Sequence, residues 1–171
     1  MMGAAMRVVF VCTANMCRSP MAERLFAKRL EERGVAGIAV SSAGVFAFPG
    51  SPPSEGMRLE AAARGIDLSA HRARRFQALE IGPGDLVLVM EHAHRHELLE
   101  VHGVPEQAVR LLGSFDPTGP EEVEDPVAGR ASYAVCADRI GLCLEGLYRW
   151  LAERDLRPGS PGARGCGGHR E

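Results

Sequence analysis

Runs of bulky apolar residues alternate along this chain with amphipathic stretches of helical period, and that alternation predicts strands separated by helices. Val8, Val9, Phe10 and Val11 are four consecutive apolar residues, which suits a strand buried on both faces of a parallel sheet. Leu86 to Met90 repeats the pattern, Ile38 to Val40 is a shorter candidate, and Val109 to Leu112 is a weaker fourth. After the first run, Ala22, Phe26 and Leu30 recur at four-residue steps with Leu25 beside them, while Lys28, Arg29, Glu31 and Glu32 fill the polar side. This reads as an amphipathic helix stopped at Gly34. Ser54 is expected to cap a second helix to about Arg64, and Ser69 to begin a short third one. From about Arg130, the spacing of Ile140, Leu144, Leu147 and Leu151 predicts a long helix with Trp150 near its end. Strands separated by helices through short loops imply a parallel sheet wound by right-handed crossovers.

At 171 residues and 46% hydrophobic content, the chain is long enough for one core and too short for two, so a single α/β domain is expected. Residues 157–171, rich in glycine, proline and arginine, are expected to be disordered. The net charge is −2 with both signs interspersed, which argues against nucleic acid or a membrane surface as the main partner. No stretch approaches a membrane span, and five cysteines without a scaffold-like spacing argue for reduced thiols. A cytoplasmic location follows as an expectation.

The candidate chemistry lies where the first strand meets the first helix. Ser19 followed by Pro20 reads as an N-cap with proline at the first helical position. The loop from Cys12 to Arg18 then leads its backbone N–H groups into the unpaired amides of the helix start, a concave site that favours an anion. Cys12 would sit at its base, where amides and helix dipole stabilise a thiolate and make it a nucleophile. Arg18 returns to the same rim with a planar fork that can hold two oxygens of a tetrahedral oxyanion. Ser19 can donate a hydroxyl to the sulfur, and Asn15 tolerates the left-handed turn such a loop needs.

Val11-Cys-Thr-Ala-Asn-Met-Cys-Arg-Ser-Pro-Met-Ala-Glu23 resembles the signature V-C-x-G-N-x-C-R-S-P-M-A-E of the low-molecular-weight protein tyrosine phosphatase family, with alanine at Ala14 as its one departure. Further matches follow in the family's order at Ser42-Ala-Gly44, Gly65 to His71, Met90, Leu111 to Pro117 and Glu124-Asp-Pro126. The resemblance implies a phosphatase domain over residues 6–156, built as a four-stranded parallel sheet with helices on both faces. It also implies a phosphate loop of Thr13, Ala14, Asn15, Met16 and Cys17, braced by Ser19, Ser42 and His71. Phe48 falls where the family often has an aromatic wall of the substrate cleft. Val127 replaces the aromatic residue usual after the acid.

A thiolate that displaces an alcohol from phosphate needs an acid for the leaving oxygen, then a base to activate water. One carboxyl can do both, and the chain has two Asp-Pro dipeptides, at Asp116 and Asp125, in one acidic loop. Composition does not choose between them; the resemblance assigns Asp125. It further implies a phosphoprotein substrate, no cofactor, and reversible inactivation involving Cys12 and Cys17. Met16 is apolar at a loop position where isoleucine is common in tyrosine enzymes and threonine in arginine ones, which points to phosphotyrosine with phosphoarginine as the alternative.

A second alternative is a thioredoxin-coupled arsenate reductase, which shares the C-x5-R cradle but continues Ser-Gln and needs two further cysteines in mid-chain. Cys136 and Cys143 lie two helical turns apart, about 10 Å, too far to join without unwinding. A catalytically silent phosphate-binding module is a third reading, opposed by the presence of nucleophile, arginine and candidate acid. His92, His94, His96 and His102 cluster, and His92 and His96 share a helix face at metal-ligand spacing, yet no third ligand is evident and no metal is expected. His71, Arg72, Arg74 and Arg75 form a basic stretch, read either as a solvated helix face or as a guide for an anionic substrate.

Overall fold

The computed structural model describes residues 6–127 and 132–155; the expected disordered tail, 157–171, lies outside the described residues. Four strands form one sheet: β1 (Met6–Cys12), β2 (Ile38–Gly44), β3 (Leu86–Val89) and β4 (Val109–Leu111). They lie in the order β2-β1-β3-β4 and every pairing is parallel. Four helices connect or follow them: α1 (Arg18–Glu32), α2 (Glu55–Ala63), α3 (His92–Glu100) and α4 (Tyr133–Asp155).

The apolar run of β1 is buried on both faces, as its composition requires. Val8, Phe10 and Cys12 join Met21, Phe26, Met57, Leu144 and Leu147 from α1, α2 and α4. Val9 and Val11 point the other way, into a second core with Leu98 of α3 and Phe76. The sheet therefore has helices on both faces. Since β1 leads to β2 on one side and β3 leads to β4 on the other, the order reverses between β1 and β3, and the carboxyl ends of those strands open onto a crevice.

Several elements differ from the sequence reading. β2 runs to Gly44 rather than stopping at Val40, because its small residues Ser41 to Gly44 pair with Val9 to Cys12 in register; cross-strand pairing overrides weak strand propensity. Helix α1 begins at Arg18 with Cys17 as N-cap, so Pro20 is the third helical residue, where no intrahelical N–H is lost. Ser19 does not cap it, because its hydroxyl is engaged in the loop described below. Ser54 does precede α2, without a capping bond from its side chain.

No helix begins at Ser69. That stretch runs extended beside the end of β2: Gly44 N–H donates to Arg74 O at 2.9 Å, Phe76 N–H to Gly44 O at 3.0 Å, and Ala73 N–H to Ser51 O at 2.9 Å. The backbone groups a helix would use internally are taken by β2 and its loop. The basic stretch is accordingly not a helix face, and of its three arginines one is paired with a carboxylate while two bond to backbone carbonyls. Arg74 pairs with Glu80, Arg75 Nε donates to Ala47 O, and Arg72 folds back on the carbonyls of Ser69 and His71.

Candidate active site

The loop between β1 and α1 is turned so that its carbonyls face outward. Cys12 O accepts from Val45 N–H at 3.0 Å, Thr13 O from Phe46 N–H at 2.9 Å, and Met16 O from Ser54 N–H at 2.7 Å. Asn15 O accepts from His71 Nε2 at 2.7 Å. In a trans peptide the N–H points opposite to the C=O, so the amides of Thr13, Ala14, Met16 and Cys17 face the inside of the curl. The result is a nest of donors around the Cys12 sulfur, suited to an oxyanion.

The single left-handed residue in this loop is Asn15, at φ +55, and Ala14 is spared the conformation that alanine resists. Asn15 is fully buried and uses every polar atom of its side chain. Nδ2 donates to Ser19 Oγ at 2.8 Å and to Ser42 Oγ at 2.9 Å, while Oδ1 accepts Arg74 N–H at 3.0 Å. Ser42 passes its own hydrogen to Glu23 Oε2 at 2.5 Å. Ser19 Oγ lies 3.0 Å from Cys12 Sγ. Below the loop, Gly44 has no room for a side chain: a Cβ there would lie 2.6 Å from Thr13 O and 2.9 Å from Asn15 N.

Arg18 is only 2% exposed, yet it carries the largest fully buried side chain. Glu91 ion-pairs with Nη1, Val123 O accepts from the same nitrogen at 2.9 Å, and Asp125 Oδ2 lies 3.5 Å from Nη2. Burial by itself would lower the arginine pKa; the Cys12 sulfur, Glu91 and Asp125 outweigh it and raise it above the ordinary value. Asp125 also accepts Val127 N–H at 3.0 Å, a turn that aims its carboxyl at the loop. Asp116 is elsewhere, 8% exposed and bound by Arg139 Nη1 at 2.5 Å and Thr118 Oγ1 at 2.7 Å. Thr118, helped by Arg139, holds its carboxyl below the ordinary range.

A cleft of about 290 Å³ opens over Cys12, lined by Thr13, Ala14, Met16, Arg18, Asp125, Val127 and Tyr133 among others. Phe48 is 78% exposed and does not line it. Glu91, Val123 and Tyr133 were not legible in the sequence as site residues; each reaches the loop from far along the chain. The Cys136 thiol beside Cys17 lowers the Cys17 pKa against its burial, and the same neighbour raises that of Cys136. Burial pushes Cys143 up to about 11. Among the described residues no group of three or more His, Cys, Asp or Glu side chains could hold a metal. A larger cleft, about 550 Å³, lies at the opposite end of the sheet around Met6, Asp85, Arg110 and Trp150, away from any nucleophile.

A cysteine at the floor of an amide nest, an arginine fixed beside it and a carboxylate at the mouth, at the carboxyl end of a parallel strand, define a cysteine-dependent phosphatase site. The family model for "Low molecular weight phosphotyrosine protein phosphatase" matches residues 7–156, and the chain belongs to that family. A low molecular weight protein-tyrosine phosphatase A of Mycobacterium tuberculosis is 37% identical over 164 residues, covering 92% of this chain and 99% of the relative. A protein-arginine-phosphatase of Geobacillus stearothermophilus is 34% identical over 149 residues, covering 86% and 95%. The crystal structure of a low molecular weight protein tyrosine phosphatase from T. tengcongensis superposes with a TM-score of 0.76 at 33% identity, over 85% of this chain and 99% of that one. The protein is therefore a phosphomonoester hydrolase of the protein-tyrosine-phosphatase type, acting on phosphoproteins.

Proposed function

We propose that Cys12, Arg18 and Asp125 carry the hydrolysis, and that the substrate is phosphotyrosine in a protein. Cys12 attacks phosphorus from the floor of the nest, forming an S–P bond as the P–O bond to the leaving group breaks. Asp125 donates a proton to the departing oxygen. Water then attacks the thiophosphate, Asp125 takes its proton, the S–P bond breaks, and inorganic phosphate leaves with the cysteine regenerated. Arg18 and the loop amides hold the three equatorial oxygens throughout, where charge is spread in the transition state.

The observation that supports tyrosine is the cleft lining. Met16, Val127 and Tyr133 offer an apolar surface to a phenyl ring, and among the described residues Asp125 is the one carboxylate that lines it. A phosphoarginine guanidinium would have that single carboxylate to satisfy its remaining N–H groups. The arginine reading is kept alive by the relative of that name. Nothing comparable supports arsenate reduction, since Cys136 and Cys143 sit on the unbroken helix α4, with Cys136 turned to Cys17.

A panel of phosphotyrosine, phosphoarginine and phosphoserine peptides tests the assignment. Tyrosine is expected to give the highest kcat/KM; a higher value with phosphoarginine would replace the assignment. In the same assay Cys12→Ser should abolish turnover while retaining substrate binding, and turnover in that variant would exclude the covalent route.

A further inference from the structure

The histidines at the start of α3 have no part in the steps above. His92 is exposed and its Nε2 lies 3.1 Å from Glu121 Oε2; His102, just past the end of α3, meets Phe76 edge-to-face. His94 differs from both, being 3% exposed and hydrogen-bonded through both ring nitrogens. Its Nδ1 accepts the backbone N–H of Glu91 at 3.2 Å, so that nitrogen carries no proton. The neutral ring then holds its hydrogen on Nε2, which donates to Thr13 Oγ1 at 2.8 Å.

Two arms therefore extend from one helix start to the two ends of the phosphate loop. Glu91 holds Arg18, the last residue of the curl, by charge. His94 holds Thr13, the residue after the nucleophile, by a hydrogen bond. Thr13 is also tied by its carbonyl to Phe46 N–H at 2.9 Å, so the imidazole supplies the tie from the α3 side.

We propose that His94 is a positioning residue of the phosphate loop, acting through Thr13 to fix the first inward-facing amide beside Cys12. It touches no reacting atom. Burial, with the Arg18 charge acting in the same direction, lowers its pKa to about 4, so the ring stays neutral near pH 7 and the Nε2 donor is retained. An amide aimed at developing negative charge loses much of its effect when displaced by a fraction of an ångström, so the consequence falls on kcat more than on KM. This inference rests on the phosphatase reading of the site.

The test is a double-mutant cycle in the full chain, read by kcat and KM with p-nitrophenyl phosphate and by the Kd of orthovanadate from calorimetry. Thr13→Val removes the hydroxyl at nearly constant shape. His94→Asn keeps an acceptor for Glu91 N–H but does not reach Thr13, whereas His94→Gln places an amide N–H near the former Nε2. Thr13→Val and His94→Asn should each lower kcat on the order of 10-fold, the worth of one hydrogen bond, with KM little changed. The double variant should be no worse than either single one, and His94→Gln should recover most of the rate. Losses that multiply, no loss in either single variant, or a His94→Gln as poor as His94→Asn would overturn the proposal. If the His94 variants do not fold, Thr13→Ser decides: it restores the hydroxyl and should restore the rate lost in Thr13→Val, and failure to do so counts against the proposal. A parent protein without turnover would refute the phosphatase reading, while vanadate affinity across the cycle would still report on His94.

Discussion

Asn15 Nδ2 donates to Ser19 Oγ at 2.8 Å, and this contact leaves the serine hydrogen for a different partner. The serine oxygen is already an acceptor, so its own hydrogen is free to point at Cys12 Sγ, 3.0 Å away; Ala43 O, at 3.4 Å, is the poorer partner. Ser19→Ala should therefore lower the rate of the step in which sulfur leaves as a thiolate, by roughly 10-fold to 100-fold for a hydrogen bond to a charged group. Pre-steady-state burst kinetics checks it. The ratio of burst rate to steady-state rate should rise, and an unchanged ratio would place the serine outside the chemistry.

The two Asp-Pro dipeptides should separate cleanly. Asp125→Ala is expected to cost ~10²–10⁴ in kcat for an alkyl or phenyl phosphate and less for nitrophenyl phosphate, whose leaving oxygen needs little protonation. Asp116→Ala removes the partner of Arg139 that fastens the 113–120 segment to α4, so it should lower Tm with little change in kcat. Rate assays on both leaving groups together with thermal melts decide the matter, and the opposite pattern would interchange the two roles.

Acidification should weaken the fold through His94. Its folded pKa is lowered to about 4, mainly by burial, whereas an unfolded imidazole titrates near ~6.5. Between those values the unfolded chain binds a proton the native protein does not, so stability rises with pH there and is lost as pH falls, by at most about 1.4 kcal/mol per pH unit. Urea melts between pH 4 and 7 should show this slope, and His94→Asn should flatten it. An equal slope in that variant would assign the effect to other groups.

Peroxide should inactivate the enzyme and a dithiol should restore it, with a Cys12 to Cys17 disulfide found by mass spectrometry. Cys17→Ser should recover activity less completely after peroxide; full recovery would leave Cys17 a packing residue.

The parts of the site encoded by neighbours in the chain could be read before the structure. The apolar run of β1, the cysteine that ends it and the arginine that opens α1 lie within a dozen residues, where periodicity and loop chemistry report directly. Glu91 and His94 could not be read, because they meet Arg18 and Thr13 across 73 and 81 residues of chain and look in sequence like an exposed helix start. The expected helix at Ser69 failed for the same reason: the end of β2 claims its backbone groups, and local propensity carries no record of that partner. Ser19 resembled a cap because capping and bonding to a thiolate call on the same hydroxyl. The helix start at Arg18 and the 3.0 Å approach of Ser19 Oγ to Cys12 Sγ show which use prevails, at the point where Cys12 pairs in register with Gly44.

That register has a further consequence. With Gly44 pressed against Thr13 O and Asn15 N, the bottom of the anion site is backbone lying on backbone, cast by the pairing of two strands. At that contact no side chain intervenes, and any residue larger than glycine at position 44 would prise the curl open. New substrates must then be accommodated by what stands at the mouth, at Met16, Val127 and Tyr133, while the seat for the phosphoryl group keeps one fixed gauge.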